Sequence, residues 1–202
     1  MRGRALTTLF GPLSPPVAPT PKPAPPRPPK AHPILFNSAM VLAVLRGEKT
    51  QTRRPPSHPL APLAGDTLWV RETWMASGPG CTCRDPECES TTVVIRYQAD
   101  GAEARHEYDE GAPGIRKEWV AEVGERWLWD TTWRPSIHMP RWAARLHLRV
   151  VNVVTQPLEQ INEADALAEG FRDRAAFLRA YREIYPGDYN PTVRVILFDR
   201  IP

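Results

Sequence analysis

The residues best suited to chemistry lie together at positions 47–54, whose sequence is Gly-Glu-Lys-Thr-Gln-Thr-Arg-Arg. Lys49 stands three positions before Thr52, and a lysine amine beside a threonine hydroxyl can act as the general base that makes the hydroxyl a nucleophile. This chemistry requires burial or a neighbouring cation to lower the pKa of the amine. Arg53 and Arg54 could bind phosphate or carboxylate, or simply be hydrated. The pattern alone leaves open a catalytic site, an anion site and a solvated basic surface.

A short helix is predicted to precede this segment and to position it. Ser38 has the side chain of an N-cap residue, and Gly47 ends the helical pattern. Between them, apolar residues recur at the spacing of one helical face, namely Val41, Val44 and Leu45. We therefore predict a helix over 39–46, followed by an exposed basic connection over 49–54 that the two prolines after it exclude from a helix.

Alternation of apolar and polar residues predicts strands over about 67–74, 92–97, 144–154 and 192–200. In the first of them, a carboxylate shares the more apolar face, which is made of Leu68, Val70, Glu72 and Trp74. Glu72 is therefore the unusual member of that face.

Two helices are predicted between the third and fourth strands. Asn162 is the N-cap of the first, Asp165 stands where its side chain can reach back to the cap, and Gly170 ends the helix. Asp173 begins the second helix, and Pro186 ends it. This order of helix, strands, helices and strand predicts an α+β fold built on a curved or barrel-like sheet with flanking helices.

The chain divides into a proline-rich tail, residues 1–33, and a globular domain, residues 34–202. Eleven prolines lie between Pro12 and Pro33, and such a segment has too few backbone donors and apolar side chains to build a core. We expect a disordered tail that is either an unstructured extension or spacer, or a proline-rich ligand for a partner domain. Within the domain, the irregular composition of about 76–135 predicts an insertion.

The positive charge of the chain belongs to the tail. The 202 residues include 26 basic and 23 acidic side chains, for a formal charge of +3. Five of the basic residues and none of the acidic ones lie in 1–30, so residues 31–202 have a formal charge of −2. Affinity for nucleic acid must therefore come from a local cluster, such as Arg53 and Arg54, or from the tail.

Three cysteines lie within eight residues, at Cys81, Cys83 and Cys88. An odd number of cysteines does not make a disulfide framework, and no apolar run approaches the roughly 18 residues that span a bilayer. We therefore expect a cytoplasmic protein without a membrane partner. The cysteines also supply three soft ligands that His106 or a nearby acid could complete as a structural zinc site, and the alternative is free thiols in a loop.

Several motifs, taken together, resemble the ASCH domain, a family of the PUA-like superfamily of β-barrels that is associated with recognition of RNA and nucleosides. They are Gly47-x-Lys49-Thr50-x-Thr52-Arg53, the Gly65-Asp66 turn with its strand, the helix from Glu163 to Gly170, Ile184-Tyr185-Pro186-Gly187 and the final strand to Phe198. They occur in the order of the family and cover residues 34–202 apart from the insertion. The phrases at 68–74 and 135–143 are similar to larger ASCH proteins of phages and prophages.

This resemblance implies an activity and three residues for it. Some small bacterial ASCH proteins are amidohydrolases that remove the acyl group of N4-acetylcytidine with a lysine, a threonine three residues later and a glutamate in a later helix. Matched by position, these residues are Lys49, Thr52 and Glu169. The resemblance implies Thr52 as the nucleophile, Lys49 as its base and Glu169 as the residue that orients or balances the lysine, with no cofactor required.

Other polar and aromatic residues are candidates for contact with a nucleoside or nucleic acid. Arg71 and Glu72 could contact a base edge or form an ion pair with each other. His138 and Arg141 lie in a turn that suits stacking or phosphate contact, and Trp74 is placed near the expected cleft. The alternative to an amidohydrolase is a non-catalytic RNA- or DNA-binding module of phage or prophage origin, in which the same lysine and threonine bind phosphate.

Overall fold

A computed structural model describes residues 27–77, 92–107, 132–187 and 189–202 of the chain. In these residues the strands are β1 (Ala31–Leu35), β2 (Gln51–Arg54), β3 (Thr67–Arg71), β4 (Trp74–Ser77), β5 (Thr92–Tyr97), β6 (Glu103–Glu107), β7 (His147–Pro157) and β8 (Thr192–Ile201). The α-helices are α1 (Ser38–Leu45), α2 (Glu163–Ala168) and α3 (Arg174–Ile184). Short 3₁₀ turns span Ser136–His138, Arg141–Ala143 and Leu158–Gln160.

The strands form two sheets, and with the helices they confirm the predicted α+β class. The larger sheet has the order β1-β3-β7-β8-β2, with β1 and β3 parallel and the other neighbours antiparallel. The smaller sheet is antiparallel, with the order β4-β5-β6. Within the described residues no ladder joins the edge strands β1 and β2, so no closed barrel is found there. A hydrogen bond from Arg54 Nη2 to the Leu35 carbonyl (3.2 Å) nevertheless links the ends of these two edges.

Both faces of the larger sheet carry an apolar cluster. One cluster combines α1 with the sheet and includes Val41, Leu68, Leu148 and Ile196. The other combines α2 and α3 with the sheet and includes Ala166, Phe177 and Val195. Because successive side chains of a strand point to opposite faces, Val195 and Ile196 of β8 belong to different clusters. The same alternation applies to β2, which pairs with β8.

The predicted strand over 67–74 is divided between the two sheets. Glu72 lies in the gap between β3 and β4, where both of its carboxylate oxygens accept hydrogen bonds from Arg145 (2.9 and 3.0 Å). Trp74 begins β4 and packs in the core of the smaller sheet, opposite Tyr97. The prediction of one continuous strand is therefore wrong, although all four residues expected on its apolar face are buried.

The predicted helices are present with small shifts. The N-cap of α1 is Asn37 rather than Ser38, because the Asn37 side-chain oxygen accepts a backbone N–H of the first turn at 2.9 Å. Asn162 caps α2, and Asp165 completes a capping box with it, as predicted. Asp173 caps α3, also as predicted. No helix in the described part of the chain is long and apolar enough to cross a membrane.

The larger sheet begins within the predicted tail. β1 starts at Ala31, and the preceding residues are held by Asp66, which accepts hydrogen bonds from Arg27 Nη2 (2.7 Å) and the Lys30 amide (2.8 Å). The rest of the tail, residues 1–26, lies outside the described residues, as do 78–91 and 108–131 of the predicted insertion. The described remainder of the insertion includes β5, which matches the predicted strand over 92–97, and a further strand, β6.

Candidate functional site

Lys49 and Glu169 form a buried ion pair where β2 meets the end of α2. Lys49 Nζ donates to the Gln51 carbonyl (2.8 Å), to the Glu169 carbonyl (2.8 Å) and to Glu169 Oε2 (3.1 Å). These three bonds use all three hydrogens of the ammonium. Nζ also lies 5.3 Å from the centroid of the Phe36 ring. Since the two charged side chains are 0% and 2% exposed, the pair is removed from water.

Arg53 extends this pair into a network of four charges. Its Nη1 donates to Glu169 Oε1 (3.0 Å), and its Nη2 donates to Asp165 Oδ2 (3.0 Å). Gln51 Nε2 donates to the Asp165 carbonyl (2.9 Å) and to its Oδ1 (3.3 Å). We call Lys49, Gln51, Arg53, Asp165 and Glu169 the buried network. Its two cations and two carboxylates balance, which is the condition under which buried charges are tolerated.

Strand and helix periodicity place the side chains of this network. Gln51 and Arg53 are two residues apart in β2, so they share the face that packs against α2. Asp165 and Glu169 are four residues apart along α2 and its C-cap, so they share one side of that helix. Each pair of side chains therefore meets the other across a single helix–strand contact.

Gly170 allows the end of α2 to approach Lys49 closely. Its φ is +83°, a left-handed conformation that favours glycine. A Cβ at this position would lie 3.1 Å from Ala43 Cβ and 3.6 Å from Lys49 Cβ. The glycine thus meets both a conformational and a steric requirement of the site.

Burial changes the acid–base properties of Lys49. The pKa of Lys49 is lowered, first because burial disfavours the charged ammonium. The negative charge of Glu169 opposes this shift, whereas the positive charges of Arg54 and Arg53 add to it. The neutral amine that general-base chemistry needs is therefore easier to reach here than in a lysine exposed to water.

The prediction of an exposed connection over 49–54 is wrong. Four of its residues are at most 5% exposed, namely Lys49, Gln51, Thr52 and Arg53. The physical reason is that residues 51–54 form an edge strand of the sheet, and α2 and α3 cover one of its faces. The polar side chains are hydrogen-bonded inside the fold instead of hydrated.

Thr52 points away from the buried network. It pairs with Ile196, which belongs to the apolar cluster under α1, whereas Arg53 pairs with Val195 of the opposite cluster. Within the described residues no hydrogen bond joins the Lys49 amine to the Thr52 hydroxyl. Of the three expected catalytic residues, the structure therefore brings Lys49 and Glu169 together and leaves Thr52 on the other face of β2.

Arg54 lies outside the buried network, at the end of β2. Its Nη1 donates to the Tyr185 hydroxyl at 2.9 Å. The Tyr185 ring packs against Tyr181 with 4.9 Å between the centroids. A cavity of about 330 Å³ adjoins these side chains and is lined by prolines and tyrosines, with Ser57 at its wall. Arg53 and Arg54, which the sequence groups together, thus belong to separate sites.

The segment 67–74, predicted as one strand, contains three candidate ligand-binding residues, and Arg71 is the most accessible of them. It is partly exposed, and its guanidinium lies 5.4 Å from the centroid of the Trp69 ring. Glu72 is bonded to Arg145 rather than to Arg71, and Trp74 is 0% exposed. Of the two alternatives for Arg71 and Glu72, the ion pair between them is not formed, because Glu72 pairs with Arg145. Trp74 belongs to the core of the smaller sheet.

His138 and Arg141 are exposed in the two consecutive 3₁₀ turns. The segment that carries them is anchored to the smaller sheet through Met139 and Ala143. The buried network instead lies at the β2 edge of the larger sheet. No contact in the described structure joins these two surface residues to Lys49.

The cysteines Cys81, Cys83 and Cys88 lie outside the described residues, so the zinc site stays a prediction. His106, its suggested fourth ligand, is described and lies edge-on to Trp142 with 5.5 Å between the ring centroids. Among the residues that the structure describes, no group of three histidines, cysteines or acids is placed to hold a metal ion.

Sequence reasoning missed Gln51 and Asp165 as members of the site. Two signals in the sequence could have found them. Gln51 stands two residues before Arg53 at strand spacing, and Asp165 stands four residues before Glu169 at helix spacing. Tyr181 lies within the second predicted helix and also lines the cavity near Arg54, a position that the sequence did not indicate.

Searches of family models, of curated proteins and of solved structures found no match to this chain.

Proposed function

We propose that this chain recognises a cytidine-like nucleoside, free or within a nucleic acid, as a PUA-like ASCH module of the larger phage type. The buried network is the centre of the proposed site. The observation that carries the proposal is the contact between Lys49 and Glu169, which are 120 positions apart and meet at 3.1 Å. These are two of the three residues that the family resemblance assigns to one site.

The energetics of buried ion pairs support a functional reason for this network. Replacing a buried ion pair by well-packed apolar residues is often neutral, or stabilises a protein by about 1–4 kcal/mol. Fold stability is therefore a weak explanation for four charges between β2 and α2. Titratable groups with shifted pKa values, such as Lys49, are typical of functional sites.

The donors and acceptors of the network complement the pairing edge of cytosine. Cytosine offers an amino group that donates, and a ring nitrogen, N3, and a carbonyl oxygen, O2, that accept. Glu169 can accept from the amino group, and Lys49 or Arg53 can donate to the acceptors. Uracil carries an oxygen in place of the amino group, so the same arrangement discriminates against uridine. Because these groups are now bonded to one another, ligand binding must exchange network bonds for bonds to the base.

Hydrolysis of an N4-acyl group is a second candidate, favoured by the lowered pKa of Lys49. A neutral amine has two hydrogens and one lone pair, so it can keep only two of the three bonds that Nζ now donates. The freed lone pair would take a proton from water as the water oxygen bonds to the acyl carbon. The bond from the acyl carbon to N4 then breaks, N4 takes the proton held by Lys49, and cytidine and the carboxylic acid are released. Attack by the Thr52 hydroxyl would instead form an acyl-threonine that water then hydrolyses, and it would require Thr52 to reach this face of β2.

Hydrolysis is tested by the change in ultraviolet absorbance as the chain acts on N4-acetylcytidine. Turnover is expected for the wild type and for Lys30→Met, which removes an exposed lysine outside the network. Lys49→Met and Glu169→Gln should abolish it, and Thr52→Val separates attack by the hydroxyl from attack by water. No turnover of any N4-acylated cytosine derivative by the wild type would reject hydrolysis and leave recognition to a binding assay.

Non-catalytic binding to RNA or DNA is distinguished by its dependence on salt. A complex held by phosphate contacts weakens steeply as ionic strength rises, because bound counterions are released. Recognition of a base edge in a buried site depends far less on salt. A steep dependence together with full affinity in Lys49→Met would place binding on the exposed arginines or the tail instead of the network.

A further inference from the structure

Two arginines face each other directly across β2 and β8, outside the buried network. Arg54 and Arg194 are register partners, and like charges in directly opposite positions destabilise an antiparallel pair. Arg54 donates to a tyrosine hydroxyl and a backbone carbonyl, whereas Arg194 donates to carbonyls of the loop after β2. Among the residues that the structure describes, neither guanidinium forms a salt bridge with a carboxylate. Within this part of the chain, the two neighbouring positive charges therefore have no carboxylate counter-charge.

The loop after β2 is affected by both of these charges. His58 lies in this loop, and its pKa is lowered first by burial and then by the charges of Arg54 and Arg194. Its backbone carbonyl also accepts from Arg194 Nη2 at 3.4 Å. The two arginines therefore act on a common region, which lies beside the cavity that Pro55 and Ser57 line.

Two donors next to this cavity have no partner within the described residues. They are Arg54 Nε and the hydroxyl of Tyr181, a residue that lines the cavity and is 5% exposed. Leaving a buried donor unpaired costs free energy, so these two donors favour a ligand that brings hydrogen-bond acceptors. Burial raises the pKa of Tyr181 to about 12, which leaves the hydroxyl protonated and able to donate at neutral pH.

We propose that this cavity binds the phosphate monoester of a nucleoside monophosphate. Arg54 and Arg194 would supply the positive charge, and Tyr181 would supply a hydroxyl donor. The inference rests on the proposed function, because it names the phosphorylated form of the nucleoside as the ligand. The volume of about 330 Å³ lies at the lower end of the range for small-molecule sites.

A phosphate monoester matches the groups around this cavity better than a neutral ligand does. It carries close to two negative charges at neutral pH, which matches the two arginines, and it has three acceptor oxygens for the unpaired donors. The aromatic and proline side chains of the cavity offer apolar area for the sugar or base attached to the phosphate. Tyr181 of the cavity packs against Phe177 with 5.9 Å between the ring centroids, and the guanidinium of Arg53 lies 5.8 Å from the same Phe177 ring. These contacts place the cavity next to the proposed nucleoside site.

The test is titration calorimetry of the full chain with cytidine, cytidine monophosphate, ribose 5-phosphate and inorganic phosphate at low salt. Cytidine monophosphate should bind about tenfold or more tightly than cytidine, as expected for charge-assisted hydrogen bonds. Ribose 5-phosphate should also bind, since the phosphate site does not require the base. The affinity for ribose 5-phosphate, and the ratio of the affinities for cytidine monophosphate and cytidine, should both fall as salt increases.

Matched variants assign any binding to this cavity. Ser57 is exposed at the cavity wall, so Ser57→Asp adds a negative charge without disturbing the core. This substitution should abolish the tighter binding of cytidine monophosphate relative to cytidine, which we call the phosphate advantage. Ser57→Asn is the neutral control and should keep it. Arg54→Gln should also remove the advantage, whereas Arg149→Gln, which deletes an exposed positive charge on β7, should not.

The outcomes separate this inference from the proposed function. Binding of ribose 5-phosphate without binding of cytidine would support the phosphate site and reject cytidine recognition. Equal affinity for cytidine and its monophosphate, with no binding of ribose 5-phosphate, would overturn the phosphate site and leave cytidine recognition intact. An unchanged phosphate affinity in Ser57→Asp would also overturn it, because phosphate would then bind elsewhere.

Discussion

Lys49 and Glu169 are 120 positions apart in the sequence and form a contact in the interior of the fold, with 3.1 Å between Nζ and Oε2. The contact joins Lys49, two residues before the start of β2, to the C-cap of α2. Arg53 binds the second oxygen of the same carboxylate, so Glu169 balances two cations at once. Glu169 is therefore the carboxylate that contacts both cations of the buried network.

Neutralising Glu169 should strongly destabilise the protein. Glu169→Gln leaves Lys49 and Arg53 buried without their shared counter-charge, and loss of one partner from a buried ion pair costs about 3–5 kcal/mol. Urea unfolding at neutral pH measures this change in the free energy of unfolding. Glu48→Gln is the control, because the Arg46–Glu48 pair is more than half exposed and should contribute nothing measurable. Equal effects of the two substitutions would contradict the account of the network.

The lowered pKa of Lys49 predicts a particular dependence of stability on pH. Between the folded-state pKa and the ordinary value of 10.5, the unfolded chain binds more protons at this residue than the folded chain does. The free energy of unfolding should therefore rise with pH in this window, relative to a variant that lacks the amine.

Lys49→Met provides that comparison. Urea unfolding of both proteins between pH 7 and 10 should show the wild type gaining stability over the variant as pH increases. The high pKa of about 12 for Tyr97 and Tyr181 affects both proteins equally and cancels in the difference. A constant difference across this range, or one that favours the variant at high pH, would show that burial does not lower the pKa of Lys49.

Gly170 should tolerate a side chain less well than another glycine of similar conformation. Gly170→Ala forces an L residue to a φ of +83°, which costs about 1–2 kcal/mol, and places its Cβ 3.1 Å from Ala43 Cβ. Gly101 has a φ of +71°, and a Cβ at this position would have no other atom within 4 Å. Gly101→Ala should therefore lose only the conformational free energy. Thermal unfolding should rank Gly170→Ala below Gly101→Ala, and the reverse order would contradict the close approach of α2 to α1.

Two deletions should distinguish the contribution of residues 1–26 to stability from that of the residues that donate hydrogen bonds to Asp66. Removing residues 1–26 keeps Arg27 and Lys30, and the melting temperature should stay unchanged. Removing residues 1–30 also deletes two of the donors to the Asp66 carboxylate, whose side chain is 1% exposed, so the melting temperature should fall. Identical melting temperatures for the two deletions would show that these contacts contribute no stability.

Local signals in the sequence predicted local structure well. The caps Asn162 and Asp173 were identified correctly because a capping side chain bonds within its own helix turn. The strand 92–97 matches β5, and the predicted strand over 192–200 matches β8 to within one residue at its end. Such features depend on neighbours a few residues away, and those neighbours are visible in one sequence.

Features that depend on distant partners were not predictable in the same way. The segment 49–54 was expected to be exposed, because nothing near it indicates that Asp165 and Glu169 will cover its charges. The break in the predicted strand over 67–74 was not visible either, because Arg145, which binds Glu72 at the break, lies 73 residues further along the chain. β1 was not predicted because Pro33 lacks the backbone N–H that a central strand needs. β1 is an edge strand, paired only with β3 in the described sheet, and an edge strand can contain proline.

Equilibrium binding of cytidine to the wild type and to Lys49→Met, with uridine as the matched ligand, tests the central claim most directly. Saturable binding of cytidine by the wild type is predicted, with weaker binding of uridine and a loss of about tenfold or more in Lys49→Met, as expected for removal of a charged hydrogen-bond partner. The variant must first be shown to be folded by circular dichroism. No saturable binding of cytidine or N4-acetylcytidine by the wild type, or equal affinity in folded Lys49→Met, would contradict the proposed role of the buried network.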